Sequence, residues 1–222
     1  MSAINRNYLK LIAILTMLID HAGIFLFHEN VVCRSIGRLA FPLFVYLLAD
    51  GYFRSHNKEK YSLRLLCFWI ITIPAYWFAF SGTYYIRYQN IFLELFVMSI
   101  LFAVLDMDIS PWLKGFCAFV FACVGNQIGF EYGWYGIALS VVMFTFVKEK
   151  DYLDMCLHFM ILVLLNTILL HYPAYSMLAV LTVFLLPPNG ELAAGSKPSK
   201  LTSWMSYLFY PIHLIFLRII TL

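Results

Sequence analysis

LKLIAILTMLIDHAGIFLF, residues 9–27, decides the class of fold. It is an apolar run of the length that crosses a bilayer core, roughly 20 residues. Arg6 and Lys10 give it a basic start, and the adjacent pair Asp20-His21 interrupts its second half. A basic start before an apolar run raises the question of a signal peptide. Asp20-His21 breaks the run, no A-x-A cleavage pattern follows, and further apolar segments come next, so the segment reads as a retained first helix. The rest of the chain has the same character. Of 222 residues, 63% are hydrophobic and 12% charged, against about 45–50% and about 25% in a soluble globular domain. This composition excludes a soluble single-core domain, and it excludes disorder, which needs low hydrophobicity and high net charge. A net charge of +3 is too small to suggest a nucleic-acid partner. The five cysteines, Cys33, Cys67, Cys117, Cys123 and Cys156, are odd in number and scattered through apolar runs. They form no disulfide framework and no metal-ligand spacing, and read as packing residues.

The expected fold is an all-α, polytopic helical bundle, residues 1–222 forming one transmembrane unit. Nine segments come near the spanning length: 8–27, 33–53, 64–80, 90–106, 112–127, 132–147, 152–170, 173–187 and 204–221. Several are short, which predicts tilted, kinked or partial spans. Ser81-Gly82, Ser110-Pro111, Pro187-Pro188-Asn189-Gly190 and Gly195-Ser196-Lys197-Pro198 punctuate them as turns or loops. Residues 125–131 read as a short polar loop, connecting or re-entrant. Residues 188–203 have the composition of a flexible cytoplasmic linker. With the amino terminus cytoplasmic, the inner side holds Arg6, Lys10, Arg54, Lys58, Lys60, Arg64, Lys114, Lys148, Lys150, Lys197 and Lys200, which is 11 of the 15 basic residues. The positive-inside bias therefore places the carboxyl terminus outside.

Ionisable groups at membrane depth are costly and mark function by default. Asp20 and His21 fall in the outer half of the first segment, Arg34 and Arg38 one turn apart in the second, Glu94 in the fourth and His213 mid-way along the ninth. At about 1.5 Å rise per residue, His21, Arg38, Glu94 and His213 lie within about 7 Å of their span centres on the outer side. Four polar groups from four segments thus share one layer, as a converging site would require. Each also has a plainer reading. Asp20 with Arg38 makes a structural ion pair, His213 an interhelical hydrogen bond, and Arg34 a snorkelling cation. Asp50, beside Gly51 at a helix end and facing the basic loop, reads as structural. A histidine beside a carboxylate is a general base, and an arginine nearby holds an oxyanion or phosphate. That set suits acyl transfer and proton-coupled transport equally.

The motifs LKLIAILTMLIDHAG (9–23), RSIGRLAFPLFVYLLADGY (34–52) and KYSLRLL (60–66), with Asn90, EYGWYG (131–136) and YPIH (210–213), resemble the TraX family of bacterial inner-membrane proteins. The resemblance runs from end to end of the chain. It implies kinship with membrane acyltransferases that carry an acyl group from cytoplasmic acyl-CoA to an acceptor on the far side. It also implies an acetyltransferase whose acceptor is the N-terminal amine of a pilin; a surface glycan is the alternative acceptor. On this pattern His21 is the general base, or an acyl carrier, with Asp20 orienting it. Arg38 contacts the oxyanion or acceptor, and His213 is auxiliary. Glu94, Arg34, Tyr210 and Asn90 are expected at the substrate, and Arg54, Lys58, Arg64 and Lys148 at the phosphates of acetyl-CoA. No metal is expected. Glu94 departs from the family pattern, which has a small polar residue near that place. A proton-coupled carrier and a non-catalytic pilus-assembly subunit are the rival readings.

Overall fold

A computed structural model describes residues 6–168, 174–189, 192 and 200–222. Among the described residues the chain is helical and has no strand. The helices are α1 (Arg6–Phe25), α2 (Val31–Gly37), α3 (Ala40–Arg54), α4 (Lys58–Phe80), α5 (Ile91–Asp106), α6 (Pro111–Ile128), α7 (Gly133–Glu149), α8 (Tyr152–Ile168) and α9 (Lys200–Ile220). Two 3-10 stretches, Tyr84–Arg87 and Ala174–Leu185, lie between α4 and α5 and between α8 and α9. Among the described residues, four segments are long and apolar enough to cross a membrane: Arg6–Phe25, Val31–Arg54, Lys58–Phe80 and Tyr84–Asp106. These features are those of a membrane helical bundle. The other apolar stretches are shorter. The second expected span is broken at Arg38-Leu39 into α2 and α3, and the eighth is 3-10 rather than α. The expected linker 188–203 lies largely outside the described residues.

Local chemistry sets the boundaries. Asn30, Asn57 and Asn90 cap α2, α4 and α5, each accepting backbone N–H bonds on its side-chain oxygen. Ser110 caps α6, with Pro111 at the first helical position, where a missing N–H costs nothing. Gly129 ends α6 at φ 88°, a left-handed conformation that suits glycine. Pro42 falls in the first turn of α3, so the helix starts anew there without losing a bond.

α3 is the central helix. All its residues from Ala40 to Tyr52 are buried except Phe44, and it packs on α1, α5 and α7. Lipid gives no hydrophobic drive between helices, so this contact rests on close side-chain packing. α1 is sandwiched between α2 and α3 on one side and α9 on the other, while α4 lies against α5 and α9. That position of α1 builds the site.

Candidate active site

Consecutive residues on a helix diverge by about 100°. In α1, between α2/α3 and α9, this sends Asp20 and His21 to different neighbours. The Asp20 carboxylate accepts from Arg34 Nη1 at 2.6 Å and from Arg38 Nη2 at 3.2 Å. All three side chains are buried. Arg38 Nε also donates to the Arg34 carbonyl at 3.3 Å, so the break between α2 and α3 is tied to the same group. Gly37 is needed here, because a Cβ at that position would collide with the Asp20 carboxylate. Arg34 Nε also lies 3.7 Å from Glu29, which accepts from the Tyr85 hydroxyl, and the Arg34 guanidinium sits 5.6 Å from the Tyr85 ring centre.

His21 meets α9. Its Nδ1 lies 2.7 Å from His213 Nε2, and His213 Nδ1 lies 2.7 Å from the Phe209 carbonyl. A carbonyl oxygen only accepts, so in the neutral pair the proton on His213 is at Nδ1 and its Nε2 accepts from Nδ1–H of His21. This leaves Nε2 of His21 with a lone pair and no hydrogen-bond partner among the described residues. The rings of Phe80 and Tyr210 stand edge-on to His21, at 6.1 and 6.2 Å between centroids. The sequence places Asp20 as the orienting partner of His21; in the structure His213 orients it. Asp20 points along another radius of α1, where both of its oxygens face arginines.

The structure divides the remaining expected residues. Tyr210 stands beside both imidazoles. Asn90 is buried and committed to backbone: Oδ1 accepts from Phe92 N at 3.1 Å and Nδ2 donates to the Trp69 carbonyl at 3.3 Å. Glu94 is 1% exposed. One of its oxygens accepts from Tyr132 N at 3.4 Å, and the other has no hydrogen-bond partner among the described residues and packs onto Gly136, where a Cβ would collide with it. Sequence reasoning missed Glu131, in the α6–α7 loop. Its carboxylate is within electrostatic reach of Arg34, Arg38, Asp20 and Glu94. The only sequence signal was its place at the head of EYGWYG, between two apolar helices.

A cavity of about 290 Å³ opens where α1 begins and α3 ends. Arg6, Lys10, Arg54 and Arg64 surround its mouth; Ile91, Phe92 and Tyr210 line its far end. Asp50 takes Arg54 at 2.7 Å and Arg6 at 3.3 Å. Lys10 and Arg64 have no carboxylate partner among the described residues, and the Arg64 guanidinium lies over the rings of Tyr61 and Tyr207. The α1 residues on the wall, Lys10, Ile14 and Met17, form one helical stripe whose next member is His21. On α9 the wall residues Tyr207 and Tyr210 lead to His213 in the same way. The cavity therefore runs from a cationic mouth to within one turn of the imidazole pair. Of the four cations expected at donor phosphates, Arg54 and Arg64 are at the mouth. Lys58 and Lys148 instead pair with Asp106, at 2.6 and 3.4 Å.

A helical membrane protein with two hydrogen-bonded imidazoles one helical turn beyond a cation-mouthed cavity is the class that the fold and site define. The chain belongs to the TraX family: the TraX protein family matches residues 5–221. It is similar to the probable fimbrial assembly protein FimC, serogroup H1, of Dichelobacter nodosus, with 27% identity across 94% of this chain and 92% of that one. It is also similar to protein TraX of Escherichia coli (strain K12), with 24% identity across 98% of this chain and 87% of the relative. An uncharacterized protein, RP591, of Rickettsia prowazekii (strain Madrid E) is 24% identical over 68% of this chain and 59% of its own length. No solved structure matches.

Proposed function

We propose that this chain is a multi-pass protein of the bacterial inner membrane, with its amino terminus in the cytoplasm, that acetylates an acceptor on the outer side. The donor is cytoplasmic acetyl-CoA, and the acceptor is the N-terminal amine of a pilin. The observation that carries the reading is the alignment of cavity and base. About eleven residues of α1 separate Lys10 from His21, or about 16 Å at 1.5 Å per residue. An extended pantetheine arm is of the same order, so phosphates among Arg6, Lys10, Arg54 and Arg64 would bring a thioester to Nε2 of His21. The pilus and fimbrial context comes from the relatives: FimC is named for fimbrial assembly.

In the transfer, the acceptor nitrogen attacks the thioester carbonyl. The C–N bond forms and the C–S bond breaks. The proton leaving nitrogen goes to Nε2 of His21 and from there to the departing sulfur, giving an amide and free coenzyme A. His213 stabilises the imidazolium and holds the tautomer. Asp20, Arg34 and Arg38 fix α1 against α2, and Arg38 is assigned the contact to a developing oxyanion. Purified protein, labelled acetyl-CoA and candidate acceptors test this directly. The expected result is label on a pilin amine, lost in His21→Ala although that variant still reaches the membrane. A full acetyl mass increment on the acceptor with His21→Ala would overturn the role of His21. Label on a glycan hydroxyl instead would change the acceptor and keep the chemistry.

One observation favours a second reading, a proton-coupled carrier: Glu94 is buried with an unpartnered oxygen, as proton-carrying groups in transporters often are. Substrate-driven proton uptake into proteoliposomes, unaffected by acetyl-CoA, would select it.

A further inference from the structure

We propose that Phe92 and Tyr210 set the size of the acyl group this site accepts. The inference rests on the transfer reading above and adds what that reading leaves open, the length of the carried chain. The two rings meet edge to face with centroids 5.4 Å apart, and each residue is 6% exposed. Both line the end of the cavity remote from its cationic mouth. Neither is placed to swing aside. The backbone N–H of Phe92 is held by the Asn90 side chain, and its ring leans on Phe68 at 5.8 Å. Tyr210 stands edge-on to His21 at 6.2 Å and to His213 at 5.7 Å, so it borders the cavity and the imidazole pair together.

This position gives the two rings a specific consequence. A donor whose phosphates stay at the mouth, and whose carbonyl comes to Nε2 of His21, brings its acyl group to the end of the cavity that Tyr210 borders and Phe92 backs. An acetyl group ends in one methyl. Every further methylene has to displace a ring backed by Phe68 and the other wall residue, and a close-packed wall yields poorly. Discrimination by a rigid apolar wall is about tenfold or more per methylene. Asn90 and Phe68 act here as positioning residues, since they hold the ring that meets the chain.

The experiment measures kcat/KM of the purified full chain with acetyl-, propionyl-, butyryl- and hexanoyl-CoA. The expected wild-type profile falls by about tenfold or more from acetyl to propionyl and by about a hundredfold or more from acetyl to butyryl. Phe92→Ala should raise the butyryl-to-acetyl ratio by about tenfold. Phe92→Leu, which keeps most of the packing, should raise it by a smaller factor and serves if the alanine variant fails to fold. A ring with only a structural role would lower all the thioesters in proportion and leave the ratio fixed. A flat wild-type profile with measurable acetyl transfer, or an unchanged ratio in a folded Phe92 variant, overturns the size limit and spares the transfer reading. Absence of transfer from every thioester overturns both.

Discussion

Two buried aspartates each sit between two arginines, one at either end of the bundle. At one end Asp20 joins Arg34 and Arg38, whose side chains are 6% and 7% exposed. At the other end Asp50 joins Arg6 and Arg54, whose side chains are 28% and 45% exposed. The sequence gives both ends a similar look: a carboxylate with basic residues within a few turns. Burial separates them. The arginines around Asp20 have little access to bulk water and bind α1 to α2. The arginines around Asp50 keep part of their hydration and open on the cavity, so they can exchange a water partner for an anion. One motif is a clamp and the other a mouth.

The largest effect that tests this contrast is on folding. Asp20→Ala leaves two buried guanidinium groups without their carboxylate, a loss of about 3–5 kcal/mol for a broken buried pair. The variant should accumulate poorly in the membrane and unfold at much lower temperature in detergent. Asp20→Asn should be milder, because its oxygen still accepts one bond. An Asp20→Ala protein with wild-type thermal stability would erase the clamp reading.

The next effect is on donor affinity. Arg64→Ala or Lys10→Ala removes a mouth cation with no carboxylate partner. Each should raise the KM for acetyl-CoA by about tenfold with kcat nearly unchanged, and the effect should fade as salt is added. Asp50→Ala should act in the opposite sense. It removes a negative charge from the mouth, costs about 1 kcal/mol or less because its arginines rehydrate, and should lower the KM by a few-fold. A fall in kcat with these variants, at constant KM, would show that the mouth is coupled to chemistry rather than to binding.

How much of this was legible in the sequence follows from what each signal measures. Hydropathy reports apolar runs, so it located the helices, and the shared depth of His21 and His213 anticipated their meeting. Periodicity along one helix cannot report what lies across from it. The divergence of Asp20 and His21 to opposite neighbours was therefore invisible until α1 was seen between α2 and α9. The break at Arg38-Leu39 was hidden for a related reason: GRLAFP is apolar enough to read as one run, although Pro42 allows a fresh start. Glu131 was passed over because loops carry acidic residues routinely. Arg6 and Lys10 were read only as orientation signals, since the positive-inside rule accounts for any cation near a cytoplasmic end.

That same rule made Lys58 and Lys148 look equivalent to Arg54 and Arg64, and the smallest effect tests the distinction. Lys58 and Lys148 both reach Asp106, and each side chain is about two-fifths exposed, at 42% and 43%. Exposed pairs of this kind contribute about 0.2–1 kcal/mol. Lys58→Ala should therefore shift thermal stability by less than about 1 kcal/mol and leave the KM for acetyl-CoA at its wild-type value, while Arg64→Ala moves it. The two variants remove the same formal charge from the same side of the membrane. A generic positive potential at this end of the bundle would make them equal, whereas a bounded site at the cavity mouth makes them differ. Equal shifts in KM would mean that donor attraction is spread over the whole end of the bundle, and the mouth would lose its claim to be a site.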